Sequence, residues 1–403
     1  MTLLGYSLSA SSLPADGSLR VDLYWSVRQP PASRYQATVY LADATGFLWS
    51  PRDSYRPRGY HRPPPTTTWQ PGQYALDSHE IEPLSGTPPG TYRLVVVLFD
   101  RDSLAPLSVL EAQGQPAAPE LTLAQVTLTR PRRPAAPPPR NRIDRPLGAL
   151  TLLSADFDRA AAAPGDPVYL TLFWRAEAAV EAAPPVQLEL QAADGAAVAS
   201  YPLSPPVDAW QAGDVWRSQH RLLLPADLTG GSYRWAVQGS EVGVLQLHAP
   251  AHLWQAPPLD LEVETSFPAL ATLLGAQVVP QLAPCDLQLA TCHLQPGASL
   301  TVTLVWRAEA TAADSYHVFV HLLGPDGRLV AQSDGIPAGW SRPTTGWLRG
   351  EIIVDPHTLT LPADAVPGDY VLQAGLYLPG GDRLTTASGA DAARMVTIQV
   401  TEP

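Results

Sequence analysis

Leu300-Thr301-Val302-Thr303-Leu304-Val305-Trp306 is the stretch that decides the fold. Large apolar side chains recur at every second residue, which is the period of a β-strand with one face against a core. The same pattern runs over residues 19–25, ending in Trp25, and over residues 168–174, ending in Trp174. A turn with Pro and Gly precedes each stretch. Three matching strands predict a unit that is repeated three times.

Two further motifs keep this register in every unit. A Trp-x-x-Gly-polar turn is followed, 23 residues after its Trp, by the Tyr of a Gly-x-Tyr motif. The Trp residues are Trp69, Trp210 and Trp347, and the Tyr residues are Tyr92, Tyr233 and Tyr370. Gly-x-Tyr before a late strand resembles the tyrosine corner of immunoglobulin-like sandwiches, in which the phenol binds upstream backbone. The sequence therefore predicts an all-β protein of three tandem immunoglobulin/fibronectin-like antiparallel β-sandwiches.

Composition shifts place the domain borders. We expect a first sandwich over 1–130 with an aromatic and Arg-rich insertion at 46–65, a second over 147–264 and a third over 265–403. Residues 131–146, PRRPAAPPPRNRIDRP, favour polyproline II, a semi-rigid spacer of up to ~50 Å at about 3.1 Å per residue. The second junction is much shorter, which predicts closer coupling of the second and third units.

The charged residues exclude several classes of function. All 26 basic residues are Arg, so neither a Schiff base nor a phosphate-loop lysine is available. A net charge of −12 argues against nucleic acid or an anionic membrane surface as the main partner. No apolar run is long enough to span a membrane, and Met1 does not open a signal peptide. The chain is either cytoplasmic or a piece of a longer exported protein, and its opening directly at the first strand of a repeat favours the second interpretation.

Cys285 and Cys292 are the two cysteines, with six residues between them in a segment before the Trp306 strand. A disulfide closing so small a loop contributes ~2–3 kcal/mol and implies an oxidising compartment. The alternative is two free thiols in a reducing cytosol. His293 is adjacent but does not complete a convincing zinc site, so we expect a disulfide and no metal.

Catalytic and cofactor motifs are missing from the sequence. It contains no Gly-x-Ser-x-Gly, His-Glu-x-x-His, phosphate loop or dinucleotide-binding glycine pattern, so we expect neither an enzyme nor a cofactor. His317 and His321 lie on one strand face about 13 Å apart, too far to share one ion. Four carboxylates of the third unit form the alternative, an acid pair or a calcium site, although turn carboxylates usually bind backbone. They are Asp326, Asp334, Glu351 and Asp355.

Loop aromatics are the strongest candidates for ligand binding. Trp49, Tyr55, Tyr60 and His61 lie in the first-unit insertion, and Trp340 lies in a loop of the third unit. Exposed aromatic faces stack on sugar rings or on partner proteins, and neighbouring Arg binds carboxylate or phosphate. The alternative is that these rings only cover the ends of the sandwiches. The recurring Trp69, Trp210 and Trp347 repeat with the scaffold, which favours a structural role for them.

The third unit resembles modules of bacterial surface proteins. The matching stretches are YHVFVHLLGPDGRLVAQSDGIPAGW, PTTGWLRGEIIVDPHTLTLP and VPGDYVLQAGLYLPGGDRL. Among such proteins are the extracytoplasmic tails of multi-spanning glycosyltransferases that use lipid-linked sugars. The resemblance is good over 268–400, moderate over 1–130 and weak over 147–264. It implies a sandwich fold and an extracytoplasmic location; the catalytic residues of that family lie in a membrane portion that is not in this chain.

Together these patterns predict a non-catalytic, extracytoplasmic or cell-surface protein that presents loop aromatics to a glycan or a surface partner. It has no transmembrane segment of its own and is expected to be part of, or associated with, a membrane-anchored protein. One alternative is a structural component of a surface layer or filament. Another is a glycoside-active hydrolase that uses the carboxylates of the third sandwich.

Overall fold

The computed structural model describes residues 1–51, 65–110, 119–133, 141–181, 186–205, 210–280, 285–286 and 291–401, with the backbone alone at 280, 285–286 and 291–293. Within these ranges the chain is almost entirely β-structure, arranged as three pairs of sheets. Each pair encloses one large hydrophobic cluster. The predicted all-β sandwich fold is confirmed. No helix in the described ranges is both long and apolar enough to cross a membrane.

The first sandwich has two sheets and a 3₁₀ turn at Thr66–Thr68. Its strands are β1 (Thr2–Leu8), β2 (Ser12–Pro14), β3 (Leu19–Ser26), β4 (Tyr35–Ala42), β5 (Tyr74–Ile81), β6 (Gly90–Asp100) and β7 (Glu120–Thr129). One sheet has the order β1-β3-β5 and the other the order β2-β7-β6-β4.

The second sandwich adds one strand at the outer edge of each sheet. Its strands are β8 (Arg142–Leu147), β9 (Leu150–Phe157), β10 (Ala161–Ala162), β11 (Pro167–Ala176), β12 (Val186–Gln191), β13 (Ala197–Leu203), β14 (Val215–Leu223), β15 (Gly231–Val237) and β16 (Ser240–Leu247). The sheet orders are β14-β11-β9-β8 and β10-β16-β15-β12-β13.

The third sandwich repeats this plan. Its strands are β17 (Leu261–Phe267), β18 (Ala271–Pro280), β19 (Cys285–Asp286), β20 (Thr291–Leu294), β21 (Ser299–Ala308), β22 (His317–Leu323), β23 (Leu329–Gly335), β24 (Ile352–Thr360), β25 (Gly368–Tyr377) and β26 (Ala393–Val400). A short helical turn, Pro337–Trp340, and a 3₁₀ turn, Thr344–Gly346, separate β23 from β24. The sheet orders are β17-β18-β21-β24 and β19-β20-β26-β25-β22-β23.

One strand arrangement underlies all three sandwiches. A short strand pairs in parallel with the last strand of each copy, as β2 with β7, β10 with β16 and β20 with β26. The remaining neighbours in the sheets are antiparallel, and the strand orders match the ABE and GFC sheets of immunoglobulin-like domains. Each copy also has the predicted tyrosine corner. The phenols of Tyr92, Tyr233 and Tyr370 donate to the carbonyls of Pro88, Thr229 and Val366 at 2.8, 2.9 and 2.9 Å.

The predicted Trp anchors lie in the cores. Trp25, Trp174 and Trp306 are each no more than 6% exposed, because the period of two turns them inward between the sheets. The Trp of the recurring turn is buried too, in agreement with the structural role expected for Trp69, Trp210 and Trp347.

Two edge strands extend further than the sequence indicated. Arg142–Leu147, of which residues 142–146 were expected in the spacer, is β8 and pairs antiparallel with β9. Leu261–Phe267 straddles the predicted border at 264/265 and pairs with β18 of the third sandwich. Pro146 is tolerated in β8 because this strand is at the edge of its sheet, where an amide donor is not required on the outer side.

The structure describes the predicted insertion at 46–65 only at residues 46–51 and 65, so the insertion stays a prediction. Thr66 Oγ1 accepts the amide of Tyr35 across 31 residues, and Thr344 Oγ1 accepts that of Tyr316 across 28. The two connections therefore have nearly equal lengths.

Both junctions between sandwiches are direct contacts. Gln219 Nε2 donates to Leu48 O at 2.8 Å and the amide of Arg217 donates to Gly86 O at 2.7 Å, so the expectation that a long spacer holds the first two sandwiches apart is wrong. At the second junction, a Cβ on Gly165 would lie 2.2 Å from Gly346 Cα. Here the two backbones touch.

Candidate functional site

Four aromatic rings form a cluster on the outer side of the third sandwich. We call His317, Phe319, Trp340 and Tyr377 the aromatic face. Val318, Val320 and Leu322 of β22 point into the core, so the intervening side chains of that strand point outward. Tyr377 joins them because β25 pairs with β22 in a register that sets it opposite His317.

Trp340 is presented by a turn with an unusual backbone. Ala338, Gly339 and Trp340 all have positive φ, at 55°, 63° and 71°. Non-glycine residues rarely adopt this region, and such backbone tends to occur at functional sites. The amide of Ala338 donates to Asp355 Oδ1 at 2.7 Å, which holds the turn against β24. The indole lies over Gly335, where a Cβ would approach it to 2.9 Å, and Trp340 is still 64% exposed.

His317 connects the exposed Trp340 ring with the half-buried Tyr377 ring. Its imidazole makes edge-to-face contacts with Trp340 at 5.4 Å and with Tyr377 at 5.5 Å between centroids. Burial lowers the pKa of His317, and the charge of Asp334 opposes that shift only partly. Burial also raises the pKa of the Tyr377 phenol. At neutral pH the centre of the face therefore consists of an uncharged imidazole and an uncharged phenol.

A cation and an imidazole border the aromatic face on one side. The Arg383 guanidinium lies 4.2 Å from the ring centroid of Phe319, donates to Asp391 and lies 3.3 Å from His321 Nδ1. His321 is 7% exposed. Its Nε2 atom lies 3.4 Å from Asp334 Oδ1 but has no hydrogen-bond partner among the described residues. A buried polar atom without a partner is costly and suits a ligand or water that completes its bonding.

A second polar cluster lies between the sheets of the same sandwich. Ser333 Oγ is 3.0 Å from His357 Nδ1, and His357 Nε2 is 2.9 Å from Asp355 Oδ2. Serine, histidine and carboxylate in such a chain are the residue types of nucleophilic catalysis. The other copies, however, carry related pairs at the same distance after the recurring Trp, Asp77 with His79 and Ser218 with His220. Repetition in every copy favours a scaffold role.

The four carboxylates proposed for hydrolysis have separate partners. Asp326 accepts the amide of Arg328 in the hairpin turn, as expected for a turn carboxylate, and Asp334 lies beside His321. Glu351 is fully buried and accepts from the amide of Leu348, from Arg342 and from His252. Asp355 binds the Trp340 turn and His357. Among the described residues, no three His, Cys, Asp or Glu side chains are grouped so that they could hold a metal ion.

Of the four candidate ligand-binding residues in the first sandwich, the structure describes one, Trp49. Trp49 is 5% exposed, packs against Tyr92 at 5.6 Å and donates its indole N–H to Asp43. The expectation that it offers a free face to a ligand is wrong, because the chain folds back onto β4 and carries the ring into the core. Tyr55, Tyr60 and His61 lie outside the described residues.

For the two cysteines the structure describes only the backbone, and the strand register shows which residues face each other. Cys285 and Cys292 are direct partners on the antiparallel strands β19 and β20. Directly opposed positions in an antiparallel pair have Cα atoms about 4.5–5.5 Å apart, within the range that a disulfide spans. The side chains lie outside the described part of the chain, so the disulfide stays a prediction.

Only one member of the aromatic face, Trp340, was a ligand-binding candidate from the sequence. The alternation of β22 places His317 on an outer sheet face, as the sequence indicated, but not beside Trp340. That contact depends on the left-handed turn and on Gly335, whose missing side chain leaves room for the indole. Arg383 reaches the face from the loop after β25, and no sequence spacing reveals this.

Comparisons with known proteins leave the function open. No family model and no curated protein matches the chain. A glycosyl hydrolase family 2 member from Bacteroides cellulosilyticus overlaps 58% of this chain and 28% of its own, at 10% identity and a TM-score of 0.21. A Salmonella alpha-2-macroglobulin mutant overlaps 98% and 27%, at 13% identity and a TM-score of 0.20. A putative membrane anchored protein from Corynebacterium diphtheriae overlaps 99% and 91%, at 11% identity and a TM-score of 0.18. The chain thus spans little more than a quarter of the first two structures, and scores this low support no functional transfer.

Proposed function

We propose that this chain is a non-catalytic, extracytoplasmic binding and spacer protein whose third sandwich binds a glycan on the aromatic face. The observation that carries the proposal is the exposed Trp340 ring, fixed by a left-handed turn beside His317 and Tyr377. A rigid indole offers a flat apolar surface to the C–H face of a sugar ring, and it loses little conformational entropy on binding.

Polar groups around the rings suit a ligand rich in hydroxyl groups. A neutral His317 both donates and accepts, and His321 Nε2 is available to complete a hydrogen bond. Arg383 and Asp334 add a donor and an acceptor of opposite charge at the border of the face. Aromatic stacking together with a few convergent polar groups is the general chemistry of a small-ligand site.

Binding is tested with a glycan array followed by calorimetry on the best ligand. Trp340→Ala is expected to weaken binding about tenfold or more, which corresponds to ~1.4 kcal/mol. Trp254→Ala is the matched control, because Trp254 is similarly exposed, at 57%, but lies on the segment between the second and third sandwiches. A Trp340→Ala protein that keeps full affinity, or a loss confined to Trp254→Ala, would contradict the proposal.

The extracytoplasmic location is supported by the opposed cysteines on β19 and β20. Disulfides persist in oxidising compartments and are rare in the cytosol. Protein recovered from its native host and alkylated before reduction is expected to carry no label at Cys285 or Cys292, and two labels after reduction. Two labels without reduction would contradict this location.

A further inference from the structure

One sheet of each sandwich contains the strand that ends in the inward Trp, namely β3, β11 or β21. The outer side of this sheet is covered in two of the three sandwiches. Three register positions define this receiving face: the residue before the inward Trp, and the fifth and seventh residues after the Trp of the recurring turn. In the first sandwich they are Tyr24, Tyr74 and Leu76; in the second, Phe173, Val215 and Arg217; in the third, Val305, Ile352 and Val354. Strand pairing sets the first position opposite the last in every copy.

The second sandwich shows what covers the receiving face. Phe173 and Val215 are 4% and 8% exposed although they point away from their own core. The connection between β5 and β6 of the first sandwich lies on them, since a Cβ on Gly86 would come within 3.2 Å of the Phe173 ring. Arg217 completes the contact by donating its amide to Gly86 O at 2.7 Å.

The third sandwich has its receiving face covered as well. Val305 and Ile352 are 0% and 5% exposed. The segment that enters from the second sandwich lies along this sheet: Leu253 bridges Ile352 at the edge of β24, and a Cβ on Gly275, the strand partner of Val305, would come within 3.1 Å of the Leu259 side chain. In both copies the cover is therefore polypeptide that precedes the sandwich.

The first sandwich leaves the same positions open. Tyr74 is 74% exposed and Leu76 is 46% exposed, while Tyr24 is half-buried. Gly5, which pairs with Tyr24, has nothing within 4 Å of the position of its missing Cβ, so the surface beside Tyr24 is unobstructed. An aromatic and aliphatic patch remains at a position that is covered elsewhere in the molecule.

A complementary surface is open at the other end of the chain. The end of the first sandwich that faces the second includes Leu48, which follows the β4 turn, and the connection from β5 to β6. The end of the second sandwich that faces the third includes Gly165, in the turn between β10 and β11, where a Cβ would meet the backbone of Gly346. We call the end of a sandwich that carries these turns its forward end. On the third sandwich the forward end carries Leu329, after the β22 turn, and Val366, before β25. Their side chains are 47% and 60% exposed.

We propose that the receiving face of the first sandwich binds the forward end of the third sandwich of a second copy of this chain. The contact joins two different surfaces, and such a head-to-tail interface builds open chains unless the rotation closes a ring. Each link would repeat the contact that the first sandwich already makes with the second. Because every copy carries a net charge of −12, added salt is expected to strengthen the association.

The test is sedimentation velocity on the full chain from about 10 μM to about 500 μM, a range that detects weak association. The mean mass is expected to rise with concentration beyond that of a dimer. Leu76→Glu and Val366→Glu each place a charge on one of the two surfaces and are each expected to keep the protein monomeric. Val244→Glu is the control, because Val244 is 51% exposed on β16, outside both surfaces.

Mixing the two variants separates this assembly from other kinds. Leu76→Glu keeps a working forward end and Val366→Glu keeps a working receiving face, so an equimolar mixture is expected to form dimers and nothing longer. A wild-type chain that remains monomeric over the whole range would overturn the proposal. So would a mixture that remains monomeric, or a Val366→Glu protein that assembles like wild type, because the receiving face would then bind something else.

Discussion

Tyr370 and its counterparts Tyr92 and Tyr233 join each late strand to the backbone four residues upstream. Changing one of them to Phe removes the phenol hydrogen bond while keeping the ring in place. We expect each change to destabilise its own sandwich by about 0.5–1.5 kcal/mol, the net contribution of one hydrogen bond. Hydrogen exchange resolved by peptide will show faster exchange in the altered sandwich alone. Equal acceleration in all three would mean that the sandwiches unfold as one unit.

His220 makes the second sandwich sensitive to acid. Burial lowers its pKa from 6.5 to about 4, and its Nε2 atom lies 2.8 Å from Ser218 Oγ. Because the unfolded chain takes up a proton below pH 6.5 and the folded chain does so only near 4, stability falls as the pH drops through this window. The full loss is about 3 kcal/mol at 1.36 kcal/mol per pKa unit.

His220→Gln is expected to flatten this dependence. Hydrogen exchange in β14 at pH 6.5 and pH 4.5 measures the effect, after correction for the intrinsic pH dependence of exchange. His248→Gln serves as the control, because His248 is exposed just beyond β16. If the acid sensitivity of β14 survives in His220→Gln, another group is responsible.

At the residue scale, the sequence predicts side chains whose position depends only on strand period. Trp174 and Trp306 are such residues, and both are fully buried. The burial of Trp49 could not be predicted in this way, because it depends on how the chain returns along β4 and on the Asp43 carboxylate, which accepts the indole N–H. The left-handed turn at Trp340 is equally hidden, since Ala and Trp give no local signal for positive φ.

At the scale of elements, glycines at the second junction allow two backbones to touch. A Cβ on Gly346 would lie 2.7 Å from Pro164 O, so Gly346→Ala is expected to push the second and third sandwiches apart without unfolding either. Small-angle scattering will show a larger radius of gyration, while the thermal transitions stay within about 1 kcal/mol of wild type. Gly5→Ala is the control, because a Cβ there meets nothing within 4 Å. An unchanged radius for Gly346→Ala would show that the junction adapts locally.

Edge strands were the elements that the sequence located least well. Arg142–Leu147 reads as spacer because it contains Pro and three charged side chains, yet it pairs with β9. An edge strand uses only one side of its backbone for hydrogen bonds and buries little, so composition restrains it weakly. Central strands such as β21 are buried on one face over their whole length. The alternation of apolar and polar residues in the sequence therefore predicts their position.

For the whole molecule, the repeat predicts the three sandwiches but not how they contact one another. The fourth residue after the recurring Trp illustrates this: it is Gln73, Asp214 and Glu351 in the three copies. Asp214 pairs with Arg130, just after the last strand of the first sandwich, and Glu351 binds His252, just after the second. The acidic residue of this turn therefore holds the chain that arrives from the preceding sandwich. Nothing in the sequence pairs these distant positions, because the contact exists only after the sandwiches have formed.

Removing the charge at this position is expected to loosen the corresponding junction. Glu351→Gln keeps the shape of the side chain but leaves Arg342, which is 14% exposed, without its carboxylate, at a cost of about 1–3 kcal/mol. We expect faster proteolysis within residues 248–260 in Glu351→Gln and within residues 130–133 in Asp214→Asn. Gln73→Glu is the matched control, since Gln73 lies in the equivalent turn of the first sandwich, away from both junctions, and it should leave both rates unchanged. Faster cleavage in all three variants would show that the turn stabilises its own sandwich instead of the junction, because only that role is common to the three copies.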